Sequence, residues 1–223
     1  MIVVHHLNNS RSQRVLWLLE ELGLPYEVVR YQRDRKTMLA PPELKAIHPL
    51  GKSPVIVDGE CVVAESGAII EYLIDHYDDG QLSPAPRTPE KRRWRYFLHY
   101  SEGSLMPPLL MKLIFDRVET APAPFFVRPI ARGIAQRVKS TYIQPQIAQH
   151  LIYLEGELGK HEWFAGDTFS AADIQMSFPL EAAAARGGLD ASYPKLTAFL
   201  ARIHARPAYQ RALAQGGPYE LLK

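Results

Sequence analysis

Two short stretches carry the residue types from which a seat for a small anion can be built. The first is Lys52-Ser53-Pro54-Val55, with a proline at the mouth of an apolar run; the second is Glu65-Ser66, opening a helical pattern. Proline has no N–H and belongs at a strand's first residue or on an edge, so residues 53–54 offer an unusual stretch of open backbone. A helix start adds unpaired N–H groups and the positive end of the helix dipole. Together they suit a small peptide-like anion. A hairpin is expected to bring them together, because Val55-Ile56-Val57 and Cys61-Val62-Val63-Ala64 flank an Asp58-Gly59 turn whose residues both tolerate positive φ.

Other reactive residues read as structural. His5 and His6 look like a metal pair, but adjacent strand residues point to opposite faces, and no metal site is expected. Cys61 lies within an apolar run and reads as a buried packing residue. As the only cysteine, it excludes an internal disulfide, a CxxC pair and a cysteine-based zinc site. Trp94 and Trp163 read as core.

These residues need a frame. Residues 2–7 read as a buried strand, Asn8-Asn9-Ser10 as turn and N-cap residues, and Val15, Leu16, Leu18, Leu19 and Leu22 as the apolar face of a helix closed by Gly23. A strand over 26–31 follows, and so short a crossover implies parallel pairing. Residues 32–50 are irregular, with a short helix near 43–47. The hairpin and a helix over about 66–77 complete β-α-β-(α)-β-β-α, an α/β layer. A Pro-rich stretch then marks a boundary, giving domains over 1–79 and 90–223 joined by a linker over 80–89. Beyond it the chain reads helical: about 90–118 with a bend near Pro107-Pro108, 127–158, 170–186, and shorter helices from Pro194 and Pro207. Ser170 and Asp173 fit a capping box, stapled by Phe169 and Ile174.

The net charge of +2 and the scattered Lys and Arg residues argue against nucleic acid. No apolar run approaches the ~18 residues of a membrane span, and the opening residues lack the features of a signal peptide. A cytoplasmic protein is expected.

The segments His48-Pro49-Leu50-Gly51-Lys52-Ser53-Pro54-Val55, Glu65-Ser66-Gly67-Ala68-Ile69-Ile70-Glu71-Tyr72-Leu73, Ser170–Asp173 and Asn9–Leu16 together resemble the cytosolic glutathione S-transferases, and the opening is most similar to bacterial and fungal members of the yeast-type branch. The resemblance covers nearly the whole chain. It implies a thioredoxin-like N-terminal domain, an all-helical C-terminal domain, a homodimer, and detoxification with glutathione as co-substrate and no cofactor. It implies further that Glu65 accepts from the γ-glutamyl ammonium while Ser66 holds its carboxylate. Ser53 would pair its backbone with the cysteinyl peptide beside a cis bond to Pro54, and Lys52 would approach the glycine carboxylate.

The implied chemistry is thiol activation: a free thiol has a pKa of about 8.5, and a donor at the first helix start lowers it. The family's usual serine, cysteine or tyrosine position falls on Asn9, with Ser10 next; both stand as donor, with Ser12 third. The loop where some plant-type members place a histidine or lysine is Met38-Leu39-Ala40 here. Tyr100 and Met111 are expected in a pocket for small apolar electrophiles. The rivals are a glutathione-dependent peroxidase or disulfide-exchange enzyme, and a non-catalytic ligand-binding or protein-docking module of the same fold.

Overall fold

The computed structural model describes residues 1–34 and 37–222; Arg35 and Lys36, within the stretch expected to be irregular, lie outside the described residues. The chain opens β1 (Ile2–Leu7), α1 (Ser12–Leu22), β2 (Tyr26–Tyr31), α2 (Leu44–Ile47), β3 (Val55–Asp58), β4 (Cys61–Ala64), α3 (Ser66–Tyr77). The strands form one sheet in the order β2-β1-β3-β4. β1 and β2 pair in parallel, as the short crossover requires, while β3 runs antiparallel to both β1 and β4. Helices α1 and α3 pack against each other and the sheet. Val4, Ile56, Val15, Leu19, Ile69 and Leu73 are fully enclosed there.

Two details of the hairpin differ from expectation. Asp58 pairs with Cys61, so the two-residue loop is Gly59-Glu60 rather than Asp58-Gly59, and Gly59 alone takes positive φ (60°). Glycine at the first loop position is what a type II′ turn demands. Cys61 is exposed rather than buried, at the start of β4, the edge strand of the sheet.

Helices follow from Pro89: α4 (Pro89–Tyr100), α5 (Met106–Thr120), α6 (Arg128–Val138), α7 (Gln144–Lys160), α8 (Ala171–Arg186), α9 (Pro194–His204) and α10 (Pro207–Gly216), with a 3-10 turn at Glu220–Leu222. Two of the long expected helices are interrupted by single π-turns, Ser101–Leu105 and Lys139–Ile143. Pro107 and Pro108 therefore stand in the first turn of α5, where a missing N–H costs nothing. The wider turn, not the prolines, redirects the chain. One extra residue rotates the face that follows by roughly 100°.

α8 is the hub. Ala171 through Ala183 are buried on every side, as a helix walled in by others must be, and it touches α1, α3, α4, α5 and α9. Its start carries the full capping box: Asp173 accepts from the Ser170 N–H at 2.9 Å and the Phe164 N–H at 2.8 Å. α10 returns to lie along α1, with Trp17 wedged between the rings of Phe169 and Tyr209.

Candidate functional site

The seat at residues 53–54 is open backbone held by a closed side chain. The Ser53 hydroxyl donates to the His5 carbonyl (2.8 Å) and accepts from the Leu7 N–H (3.2 Å), fixing the segment against β1. Among the described residues neither the N–H nor the C=O of Ser53 has a partner, and the bond to Pro54 is cis. Across the hairpin, Glu65 sits at φ 72° with an exposed carboxylate, immediately before the N-terminus of α3. A non-glycine residue in that region costs about 1–3 kcal/mol and is kept where the surroundings demand it. Ser66 follows, 3% exposed.

Beneath Ser66 lies a buried guanidinium. Arg14, 1% exposed, donates from Nη2 to the Ser66 hydroxyl (2.9 Å) and to Glu102 (2.5 Å), and from Nη1 to the Gln175 carbonyl (2.6 Å) and the Ser101 hydroxyl (3.2 Å). Arg11 completes a bridge by donating to the other Glu102 oxygen at 2.8 Å. Burial alone would raise the Glu102 carboxyl, but the two arginines outweigh it and hold it below the ordinary glutamate range. Why the Gln175 carbonyl is available follows from the sequence. Pro179 stands four residues on, inside α8, and has no N–H to give. The carbonyl that an N–H at position 179 would have bonded turns to Arg14 and to Ser101 (2.8 Å) instead.

At the start of α1 the neighbours Asn9 and Ser10 face different ways. Ser10 is 4% exposed; its hydroxyl accepts from the Ser12 N–H (3.2 Å), as a capping serine does, and bonds Ser12 Oγ at 2.7 Å. Ser12 Oγ lies 2.9 Å from His6 Nδ1. Burial lowers the His6 pKa to about 4, against a backbone bond at Gly216 that raises it, so the ring is neutral. The Ser12 hydroxyl also lies within reach of the Leu7 carbonyl (3.4 Å), so Ser10, Ser12 and His6 form one buried polar chain beneath the start of α1. The Ser10 hydroxyl therefore faces inward, into that chain. Asn9 adopts φ 51°, a left-handed conformation that asparagine tolerates. Its Oδ1 accepts from the Glu220 N–H at 2.8 Å, leaving Nδ2 without a partner among the described residues.

Two adjoining cavities meet over these residues. The smaller, about 250 Å³, is lined by Lys52, Ser53, Pro54, Glu65 and Ser66 together with His48, Arg11 and Glu102. The wider, about 550 Å³, is lined by Asn9, Met38, Met106, Leu110, Leu113 and Phe178, among others. Arg11 and Leu110 belong to both. Among the described residues no group of three or more His, Cys, Asp or Glu side chains is arranged to hold a metal ion. His5 instead contacts the Tyr31 hydroxyl at 2.9 Å.

Two family models match the chain. The glutathione S-transferase N-terminal domain matches residues 1–75 and the C-terminal domain residues 124–207. Glutathione S-transferase 1 of Saccharomyces cerevisiae is 37% identical over 217 residues, covering 94% of this chain and 92% of the relative. The chain belongs to the glutathione S-transferase family. Glutathione S-transferase 3 of Schizosaccharomyces pombe is 38% identical over 93% of this chain and 85% of the relative. A solved glutathione S-transferase from Actinobacillus pleuropneumoniae superposes with a TM-score of 0.81 at 34% identity, covering 100% of this chain and 96% of that one. A glutathione transferase of Phanerochaete chrysosporium, solved with oxidised glutathione, gives a TM-score of 0.75 at 25% identity, covering 96% of each chain. The thioredoxin-like N-terminal domain, the helical C-terminal domain and the enzyme class follow.

Against this transferase frame, the structure gathers Lys52, Ser53, Pro54, Glu65 and Ser66 around one cavity and sets Asn9 in the next. It does not bring Tyr100 or Met111 to either lining. Tyr100 is buried with its hydroxyl on His150 Nδ1 (2.5 Å), and Met111 packs on the core. The π-turn between α4 and α5 explains the change, because the α5 residues facing the cavity are Met106, Leu110 and Leu113. Arg11, Arg14 and Glu102 escaped the sequence reading. The two arginines are spaced to share a face of α1, but nothing near Glu102 in sequence signals its partners.

Proposed function

We propose that this transferase lays glutathione along Lys52 and Ser53, grips its γ-glutamyl end with Glu65 and Ser66, and holds its sulfur as thiolate against Asn9. The wider cavity receives the electrophile. The observation that carries this reading is the opposed orientation of Asn9 and Ser10: one lines the cavity with an amide N–H₂ to give, the other is buried with its hydroxyl bonded to Ser12. A hydrogen bond to a charged partner is worth about 1.5–3 kcal/mol, equivalent to roughly one to two units of thiol pKa.

Ultraviolet difference absorbance of bound glutathione across pH tests it. Asn9→Ala should raise the apparent thiol pKa by about one to two units, and Ser10→Ala should move it less. An unshifted titration in Asn9→Ala would remove Asn9 from the role.

Glutathione-dependent peroxide or disulfide chemistry is the second reading, favoured by the fungal relative solved with oxidised glutathione. Peroxide turnover against aryl-transfer turnover on one preparation ranks the two. Detoxification in the cytoplasm as a homodimer, with domains over 1–79 and 90–223, completes the proposal. Twofold assembly is the commonest arrangement among soluble oligomers, and sedimentation equilibrium tests it.

A further inference from the structure

The wider cavity is not purely apolar. Arg11, Arg33, Arg117 and Arg186 all line it, with Glu220 the one acid in the lining. Of the four guanidiniums, only Arg11 has an acidic partner among the described residues, and that partner, Glu102, is shared with the buried Arg14. Among the described residues the Arg33 guanidinium bonds only the Met38 carbonyl (3.2 Å). Arg186 keeps a buried Nε with no partner among the described residues. Asp116, the acid whose charge reaches Arg186, already binds Lys112 and Lys139. The positive groups also repel one another: burial first, then the charges of Arg11 and Arg117, lower the Arg33 pKa. Like charges gathered on a concave wall with most of their donors unused raise the local concentration of anions. Apart from Asn9, the rest of the lining is apolar, Met106, Leu110, Leu113, Phe178 and Leu221 among it.

We infer that the acceptor substrate is an amphipathic carboxylate, its apolar body against Leu110 and Phe178 and its anionic end among Arg33, Arg117 and Arg186. The inference rests on the transferase reading and narrows its substrate class. For an aryl halide of this kind, the thiolate lone pair forms the carbon–sulfur bond and the carbon–chlorine bond breaks. Chloride departs with its electron pair, and the thiol proton has already passed to solvent.

The test compares 4-chloro-3,5-dinitrobenzoate with its methyl ester, each rate divided by its own uncatalysed rate with glutathione. The carboxylate should be favoured by about tenfold or more, the worth of one charge-assisted hydrogen bond, and less so at 0.5 M salt than at 0.05 M. Arg117→Gln changes an exposed side chain and should fold; it should cut the carboxylate-to-ester ratio several-fold, and Arg33→Gln/Arg117→Gln should cut it further. A ratio at or below one in the native enzyme, or one untouched by the double variant, overturns the inference while leaving the transferase reading standing. Turnover of neither compound overturns the transferase reading. Titration calorimetry of the two preformed S-aryl glutathione conjugates then decides the anion: tighter binding of the carboxylate conjugate supports it, and equal binding sinks it.

Discussion

Glu65 combines two properties that a residue selected for stability alone would not. Its φ of 72° is strained for any side chain, and its carboxylate stands exposed at a helix start without a partner among the described residues. Glycine would relieve the strain, worth about 1–3 kcal/mol, at an entropic cost of about 0.5–1 kcal/mol. Glu65→Gly should therefore raise stability in urea titrations by about 1 kcal/mol while weakening glutathione, measured by calorimetry, by roughly ten- to a hundredfold. Unchanged affinity would remove Glu65 from the grip. Arg14 makes the opposite case. Truncating one partner of a buried ion pair costs about 3–5 kcal/mol, so Arg14→Ala should lower stability by that order and loosen glutathione as well, because Ser66 loses its support. Denaturant melts and binding isotherms on the same preparation separate the two effects.

At the scale of elements, α8 depends on its first turn. Asp173 serves two buried N–H groups, of Phe164 and Ser170, and an orphaned buried donor costs about 1–3 kcal/mol. Asp173→Ala should lower stability by roughly 3 kcal/mol. Ser170→Ala, losing one cap, should cost about 1–2 kcal/mol, both read by chemical denaturation. This device was legible in the sequence because a capping box is local, a serine and an acid three apart before an apolar run. The strand–helix–strand opening, the hairpin and α3 were legible for the same reason. The π-turns were not, since one extra residue leaves the apolar pattern nearly intact while turning the following face. The same reason misled the expectation for Tyr100 and Met111. Cys61 failed differently: an apolar run reports a strand but not which strand lies at the sheet's edge.

For the whole molecule, the contacts that join its two parts were the least legible, because their partners lie far apart in the chain. His6 on β1 meets the end of α10 at Gly216, where an added Cβ would press on Gln13 Oε1 at 2.5 Å. Its folded pKa, about 4, lies below the 6.5 of an exposed histidine. The stability held in that neutral ring is complete above pH 6.5 and lost as pH falls toward 4, on the order of 3 kcal/mol in all. Urea melts from pH 7 to 4.5 should show this slope, and His6→Asn should flatten it. Pro179 has the widest reach. It looks like a defect in a buried helix, yet its missing donor is what lends Gln175 to the guanidinium below Ser66. Pro179→Ala should return that carbonyl to its own helix and weaken glutathione, and it should gain less than the ~3 kcal/mol that helix propensity promises. In a double-mutant cycle the losses from Pro179→Ala and Arg14→Met should overlap rather than add. Positions 14 and 179 should then be inherited as a couple: a lineage that regains an amide at one can shed the cation at the other, and neither drifts freely alone.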